Sequence, residues 1–289
     1  MKTNGAARHL KAAVLFLLVS VISPASFPNI SPASAKTVQI SFWDRENEAN
    51  TEKIDHVSWQ QILNAYLEVD PSGVSKFDYA SLKADAGDRA KLAEYLGYLH
   101  RIDPRDYSKA EQKAYWINFY NSLTVKLVVD AYPVKSILEI CRDRVSGSQC
   151  SGPWKETHAK VAGQNLTLDN IENGILRPIW KDNLIHYGLS CASYGCPSLL
   201  KTAFSAKNTE GLLAAAAREY VNHPRGVSFI ENDLIIISSI YKWYSEDFGK
   251  NEQDIIRHLQ SYADKKLTER LKNFKGSIDY EYDWSLNCP

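Results

Sequence analysis

Ser108-Lys109-Ala110-Glu111-Gln112-Lys113-Ala114-Tyr115-Trp116-Ile117-Asn118-Phe119-Tyr120-Asn121-Ser122-Leu123-Thr124-Val125, running on through Leu127 and Val128 to Tyr132 and Pro133, decides how this chain folds. Ser108 followed three residues later by Glu111 is a capping box, and Pro133 stops the helix that the box opens. Trp116, Phe119, Tyr120, Leu123 and Leu127 form one apolar face. Ile117, Val125 and Val128 make the opposite side nearly as apolar, interrupted by Asn118 and Asn121. A helix that is apolar nearly all round is a buried one, so the rest of the chain must wrap it. The two amides then need partners, because an unpaired buried amide costs roughly 1–3 kcal/mol.

Outward from that helix the pattern is helical at both ends and extended between. Residues 59–67 and 88–100 read as amphipathic helices, the second with Leu92, Tyr95, Leu96 and Leu99 on one face. Residues 160–168, with Gly163 and Asn165 in the middle, read as a hairpin, and Asp169-Asn170-Ile171-Glu172 as the cap of a helix reaching about Arg177. Residues 184–189 read as a short strand carrying His186. A helix over 209–220, a hairpin over 227–238, and helices over 251–262 and 268–274 complete the chain. The expectation is an α+β fold, a helix-rich single domain packed around a small antiparallel sheet.

The N-terminus reads as an export leader. Lys2, Arg8 and Lys11 precede an apolar run, Ala12 to Ile22, and Ala33-Ser34-Ala35 is a small-residue cleavage site. The apolar run is too short to span a bilayer. Cleavage after Ala35 would leave 254 residues, a short extension over 36–55 and a globular domain over 56–289. The 34 basic residues become 31 against 34 acidic ones, a net charge of −3. That balance gives no footprint for nucleic acid, and no second apolar run is long enough to cross a membrane. The protein is expected to be soluble, in the periplasm or secreted.

In such a compartment five cysteines carry meaning. Cys141 and Cys150 bracket a polar loop that Gly147 lets turn back, and a disulfide there is expected, worth roughly 2–3 kcal/mol. Cys191 and Cys196 could pair likewise, leaving Cys288 as the odd thiol. Cys288 could instead pair with one of them. Spacing does not choose among these.

His186, Cys191 and Cys196 put an imidazole and two sulfurs within eleven residues. These are the groups most readily tuned for nucleophilic or metal chemistry near neutral pH. One reading is a catalytic Cys191–His186 pair, with Asn118, Asn121 or Glu172 orienting the ring. Against it, residues five apart on one strand lie about 16 Å apart and on opposite faces, so the chain must turn back after Leu189. A second reading is a core histidine beside an inert or structural cysteine. A third, metal binding by the same three residues, has no evident fourth ligand beyond His158 or Glu172. Glu172 is explained equally well by its capping position. Arg177 could clamp a carboxylate but more simply caps a helix end. Trp243, Tyr244 and Phe248 read as core rather than as a ligand platform. No phosphate loop, zinc-protease helix or serine elbow occurs, and no cofactor is indicated.

Lys113-Ala114-Tyr115-Trp116-Ile117-Asn118-Phe119-Tyr120-Asn121 resembles the principal motif of the domain of unknown function 547 family. Three further blocks of that family follow in order: residues 168–178, residues 185–197 with His186, Cys191 and Cys196, and residues 240–249. Asn173 stands where the family often has histidine. The resemblance covers about residues 59–262 and places this chain with the bacterial exported members. It implies little chemistry. In plant sequences of the family, as the resemblance implies, the Cys191 position is usually cysteine while that of Cys196 often is not. That argues against a structural Cys191–Cys196 bridge as the reason for Cys191. Two functions remain open: a thiol hydrolase or acyltransferase acting on an amide or ester, and a non-catalytic module binding a small molecule, peptide or glycan.

Overall fold

Every residue from Glu111 to Val125 is buried, as the all-round apolar pattern requires. They belong to a helix, Lys109–Ala131, whose cap is Ser108: its hydroxyl accepts the Glu111 amide at 3.4 Å. The computed structural model describes residues 37–141, 150, 152–230 and 233–289. The leader over 1–35 and the interior of the Cys141–Cys150 loop lie outside the described residues.

Before the long helix come α1 (Val57–Tyr66), the antiparallel pair β1 (Leu67–Val69) and β2 (Ser75–Phe77), α2 (Tyr79–Ala84) and α3 (Ala86–Arg101). The long helix is α4. It packs on α2, α3 and the later α7 (Thr209–Asn222). Between them lie the hairpin β3 (Ala159–Val161) and β4 (Gln164–Leu166), a π-helical turn (Asn170–Leu176), α5 (Arg177–Trp180) and α6 (Ile185–Gly188). After α7 come β5 (Val227–Phe229), β6 (Leu234–Ser238), α8 (Ile240–Trp243), α9 (Ser245–Phe248), α10 (Glu252–Tyr262), α11 (Lys265–Asn273) and β7 (Ser277–Glu281). The described residues fall in one compact unit, a helix-rich α+β domain.

The sheet has a feature beyond the expected hairpin. β5 and β6 are antiparallel, but β7 joins β6 in parallel, with Leu234 opposite Ser277 and Ser238 opposite Glu281. β7 is an edge strand whose residues Ser277-Ile278-Asp279-Tyr280-Glu281 alternate polar and apolar, with Ile278 and Tyr280 partly buried; it is a strand signal too short to stand out beside the helix that precedes it. Beneath this sheet Tyr187, Tyr220, Ile235, Ile237, Tyr241, Phe248 and Leu259 form a second apolar cluster. At the front of the chain Trp43 is buried edge-on against Trp116, ring centroids 5.0 Å apart, and pins residues 37–44 to α4.

Three of the polar groups buried on α4, Lys113, Asn118 and Asn121, tie distant segments to it. Lys113 Nζ pairs with Asp182 at 2.7 Å and Glu210 at 2.8 Å. The Asn118 amide donates to Phe204 O at 2.8 Å and accepts the Phe204 N–H at 3.0 Å. Asn121 does the same to the segment after α6, donating to Gly188 O at 2.8 Å and accepting the Ser190 N–H at 2.9 Å. Each amide thus replaces the secondary-structure pairing that an irregular buried segment lacks.

Candidate active site around Cys191

His186 lies on one turn of helix, α6, and not on a strand. The run Leu184-Ile185-His186-Tyr187-Gly188-Leu189 is apolar and short, and such a run looks alike as buried helix or buried strand. Asp182 decides locally: its carboxylate accepts the Leu184 N–H at 2.9 Å and opens the turn. Gly188 is needed because a Cβ there would meet Leu213 Cδ2 at 2.6 Å. The 16 Å strand geometry therefore does not apply. After the helical turn the chain runs out along Asn121, and His186 and Cys191 come to line the same cleft.

They do not hydrogen-bond one another. His186 Nε2 is bonded to Asp247 Oδ2 at 2.6 Å, and Nδ1 lies 3.9 Å from Glu172 Oε1. The imidazole is packed against the rings of Tyr244 and Phe248, at 4.3 and 5.2 Å between centroids. The orienter is therefore Asp247, on α9, and neither Asn118 nor Asn121 touches the ring. In the sequence, Tyr244 and Phe248 of this block read as core, and the Asp247 carboxylate between them has no local mark of a role except its setting. The signal available was an acidic residue between two large aromatics in a segment otherwise destined for the core.

Asp247 Oδ2 also receives Arg177 Nε at 2.6 Å. The Arg177 side chain turns inward and serves Asp247 and its neighbours. Its side chain is 1% exposed, lies over the Tyr244 ring at 4.8 Å and donates Nη1 to Asn173 Oδ1 at 2.7 Å. Burial pushes the Asp247 carboxyl up, but the hydrogen bonds from His186 and Arg177, with their charges, outweigh it and hold the group at about 2. Asp247 is thus a carboxylate that can only accept, so the proton on this side of the imidazole sits on Nε2.

Glu172 is not part of a cap. The cap sits two residues earlier, where Thr167 and Asn170 exchange bonds: the Thr167 amide to Asn170 Oδ1 at 3.1 Å, and the Asn170 amide to Thr167 Oγ1 at 2.9 Å. Asp169 instead accepts the Asn173 side-chain amide at 2.8 Å. Released from capping, Glu172 is buried and accepts the Tyr120 hydroxyl at 3.2 Å and that of Tyr244.

Cys191, Cys196 and Cys288 are free thiols, whereas Cys141 and Cys150 are bonded with their Cα atoms 6.0 Å apart. The Cys191 sulfur sits 3.0 Å from Ser193 Oγ and 3.0 Å from Tyr282 OH, and those two oxygens are 2.8 Å apart. Burial raises the Cys191 thiol, yet the hydrogen bonds from Cys196, Ser193 and Tyr282 and from the Ser193 amide more than offset it, and the thiol lies below its ordinary value. Tyr282 stays a donor because burial and the neighbouring sulfurs push its phenol well up. Tyr282 stands on the segment after β7, which is laced to the Cys191 loop. The Tyr194 and Gly195 amides donate to Ser285 O and Asp283 O at 2.7 and 2.8 Å, and the Asn287 amide to Ala192 O at 3.1 Å. Gly195 permits that approach, since a Cβ there would lie 2.7 Å from Asp283 N. Nothing in the local sequence of either segment announces the pairing.

Above the sulfur is an open cleft walled by Tyr120, Trp154, Trp243, Tyr244, Tyr282 and Trp284. Trp243 and Tyr244 therefore belong to the wall of a cleft as well as to the core. No lysine or arginine lines it among the described residues. His158 bonds Pro153 O at 2.7 Å, and no group of three or more His, Cys, Asp or Glu among the described residues is arranged to hold a metal ion.

Residues 104–221 match the family described as Protein of unknown function, DUF547. No curated protein and no solved structure matches the chain. The matched segment carries Tyr120, Glu172, His186 and Cys191. Asp247, which orients the imidazole, and Tyr282, which holds the sulfur, both come after it.

Tyr282→Phe keeps the ring and removes one of the donors on Cys191. The pH midpoint for iodoacetamide alkylation of Cys191 is expected to move up by roughly one unit, equivalent to about 1.4 kcal/mol. An unmoved midpoint would show that this hydroxyl does not stabilise the thiolate.

Proposed function

We propose that this DUF547 protein is a bacterial exported thiol hydrolase or acyltransferase, acting on an amide or ester with Cys191 as nucleophile. The observation that carries the reading is the set of donors converging on the Cys191 sulfur beneath an aromatic cleft, because the thiolate is the reactive form. The leader-like residues 1–35 and the Cys141–Cys150 bond fit a periplasmic or secreted location. No helix among the described residues is long and apolar enough to cross a membrane.

In this reading the Cys191 thiolate attacks the carbonyl carbon, forming a C–S bond as the π electrons move to oxygen. Collapse of that adduct expels the amine or alcohol, which takes the Nδ1 proton of a His186 ring protonated on both nitrogens in the starting thiolate–imidazolium state. Water or an acceptor alcohol or amine then attacks the thioester and returns a proton to the ring, restoring the thiolate. Asp247 holds His186 by Nε2, which leaves Nδ1, on the Glu172 side, to exchange that proton. In this reading the two residues, which are not hydrogen-bonded to each other, take separate tasks: the thiolate is stabilised by Ser193 and Tyr282, and the imidazole serves the leaving group.

The test uses p-nitrophenyl acetate and iodoacetamide on the mature protein. Acetylation is expected at Cys191, with an alkylation midpoint below the ordinary thiol value of about 8.5. Cys191→Ser should lose both with little change in thermal midpoint. An unacetylated Cys191 with an ordinary or raised midpoint would overturn the reading and leave the binding module, for which the aromatic walls would serve as a ligand platform.

A further inference from the structure

We propose that Cys191 and Cys196 constitute a dithiol–disulfide couple that exchanges with the disulfide of a peptide or small molecule seated in the aromatic cleft, Cys191 attacking and Cys196 resolving. The inference shares with acyl transfer the reading of Cys191 as a reactive thiolate, but none of its later steps.

Three observations support it. Both residues are free thiols lining one cleft, Cys191 half-buried and Cys196 buried behind it. They are hydrogen-bonded neighbours: the Cys191 amide donates to Cys196 Sγ at 3.0 Å, and the two side chains hydrogen-bond as well. The loop between them is fixed so as to keep them together. Ala192 turns it back in a left-handed conformation (φ 62°), a geometry that is unfavourable for a non-glycine residue and persists only where surroundings enforce it. The enforcement comes from the bonds of Ala192, Tyr194 and Gly195 to residues 283–287.

The division of labour follows from their surroundings. Cys191 is the thiol with donors. Cys196 is pushed well up by burial and by the hydrogen bond and charge of Cys191. The Cys191 thiolate attacks one sulfur of R–S–S–R′, forming Cys191–S–S–R and releasing R′–S⁻. That step removes the charge beside Cys196, and with it two of the causes that hold its proton. Cys196 then gives its proton to the released thiolate and attacks the Cys191 sulfur, expelling R–S⁻ and leaving a Cys191–Cys196 disulfide. The substrate gains two electrons and the protein loses two; a dithiol, or two thiols, running the same steps in reverse restores it.

The experiment equilibrates the mature wild-type protein in glutathione buffers of graded ratio, quenches in acid, alkylates, and maps the peptides. Wild-type protein should pass through one two-electron transition to a Cys191–Cys196 disulfide and retain little glutathione. Cys196→Ser and Cys196→Ala should each hold glutathione on Cys191 at tenfold or more the wild-type level. No Cys191–Cys196 linkage in any buffer, or equal glutathione on Cys191 in wild type and both variants, overturns the proposal. Acetylation of reduced wild-type Cys191 is scored separately. Acetylation without the disulfide leaves acyl transfer standing and exchange refuted, and the disulfide without acetylation does the reverse.

Discussion

Asp247→Ala should lower the thermal midpoint by roughly 10 °C and abolish acetylation of Cys191 by p-nitrophenyl acetate. Asp247 is the carboxylate that compensates the Arg177 guanidinium, a side chain 1% exposed. Removing one partner of such a pair leaves an uncompensated buried charge, which costs about 3–5 kcal/mol. At roughly 2–4 °C per kcal/mol for a chain of this size, a fall of this order follows. The same substitution frees His186 Nε2 from its 2.6 Å bond, so the imidazole loses both its orientation and its tautomer. Asp247→Asn should cost less, because its oxygen can still accept from Arg177. The acid limb of stability gives a second measurement. The Asp247 carboxyl is held at about 2, below its ordinary value, so its contribution is fully present above the ordinary carboxylate range. That contribution is lost as pH falls from about 4 to about 2. Calorimetry on Asp247→Ala should show a flatter decline over that window than wild type; an identical decline would show that Asp247 is not the group titrating there.

Asn121→Ala is expected to cost roughly 2–6 kcal/mol, about 1–3 kcal/mol for each of the two backbone groups it would leave unpaired. Those groups are Gly188 O and Ser190 N, between His186 and Cys191. The variant should therefore also shift the alkylation midpoint of Cys191 towards the ordinary thiol value, because the segment that presents the sulfur is no longer held. Asn118→Ala is the matched comparison. It breaks two bonds of the same kind, but to Phe204, away from the cleft. A similar loss of stability with an unchanged Cys191 midpoint is expected. Equal effects of the two variants on Cys191 chemistry would dissolve the distinction.

What sequence reading reaches here follows the range of the interactions involved. Helices α1, α3, α4, α7 and α10, and the hairpins β3–β4 and β5–β6, are legible because periodicity, caps and turns act within a few residues. Cys191, His186 and Glu172 were recognisable as reactive groups by type and clustering, and all three do line one cleft. Their relations were not legible. The partner of His186 is 61 residues away on α9, and the hydroxyl on the Cys191 sulfur is 91 residues away. Both partners belong to ordinary residue types in ordinary surroundings, with meaning conferred by tertiary placement alone. The π-helical turn shows the same limit at short range. Asp169 and Thr167 are both acceptable caps, and the choice of Thr167 depends on Asn170 returning the bond.

The lacing of residues 282–287 onto the Cys191 loop also sets an order of events in synthesis. A ribosome that has released Cys191 must add 91 more residues before Tyr282 exists to hold the sulfur. During that interval Cys191 is a thiol of a nascent chain, without the hydroxyl that favours its ionised form. On the proposed reading, the full set of donors on Cys191 is assembled by folding and not by translation of the cysteine itself. On that reading, a chain arrested or clipped anywhere between β6 and residue 282 would carry Cys191 without the Tyr282 hydroxyl, and its thiol would ionise less readily than in the finished protein.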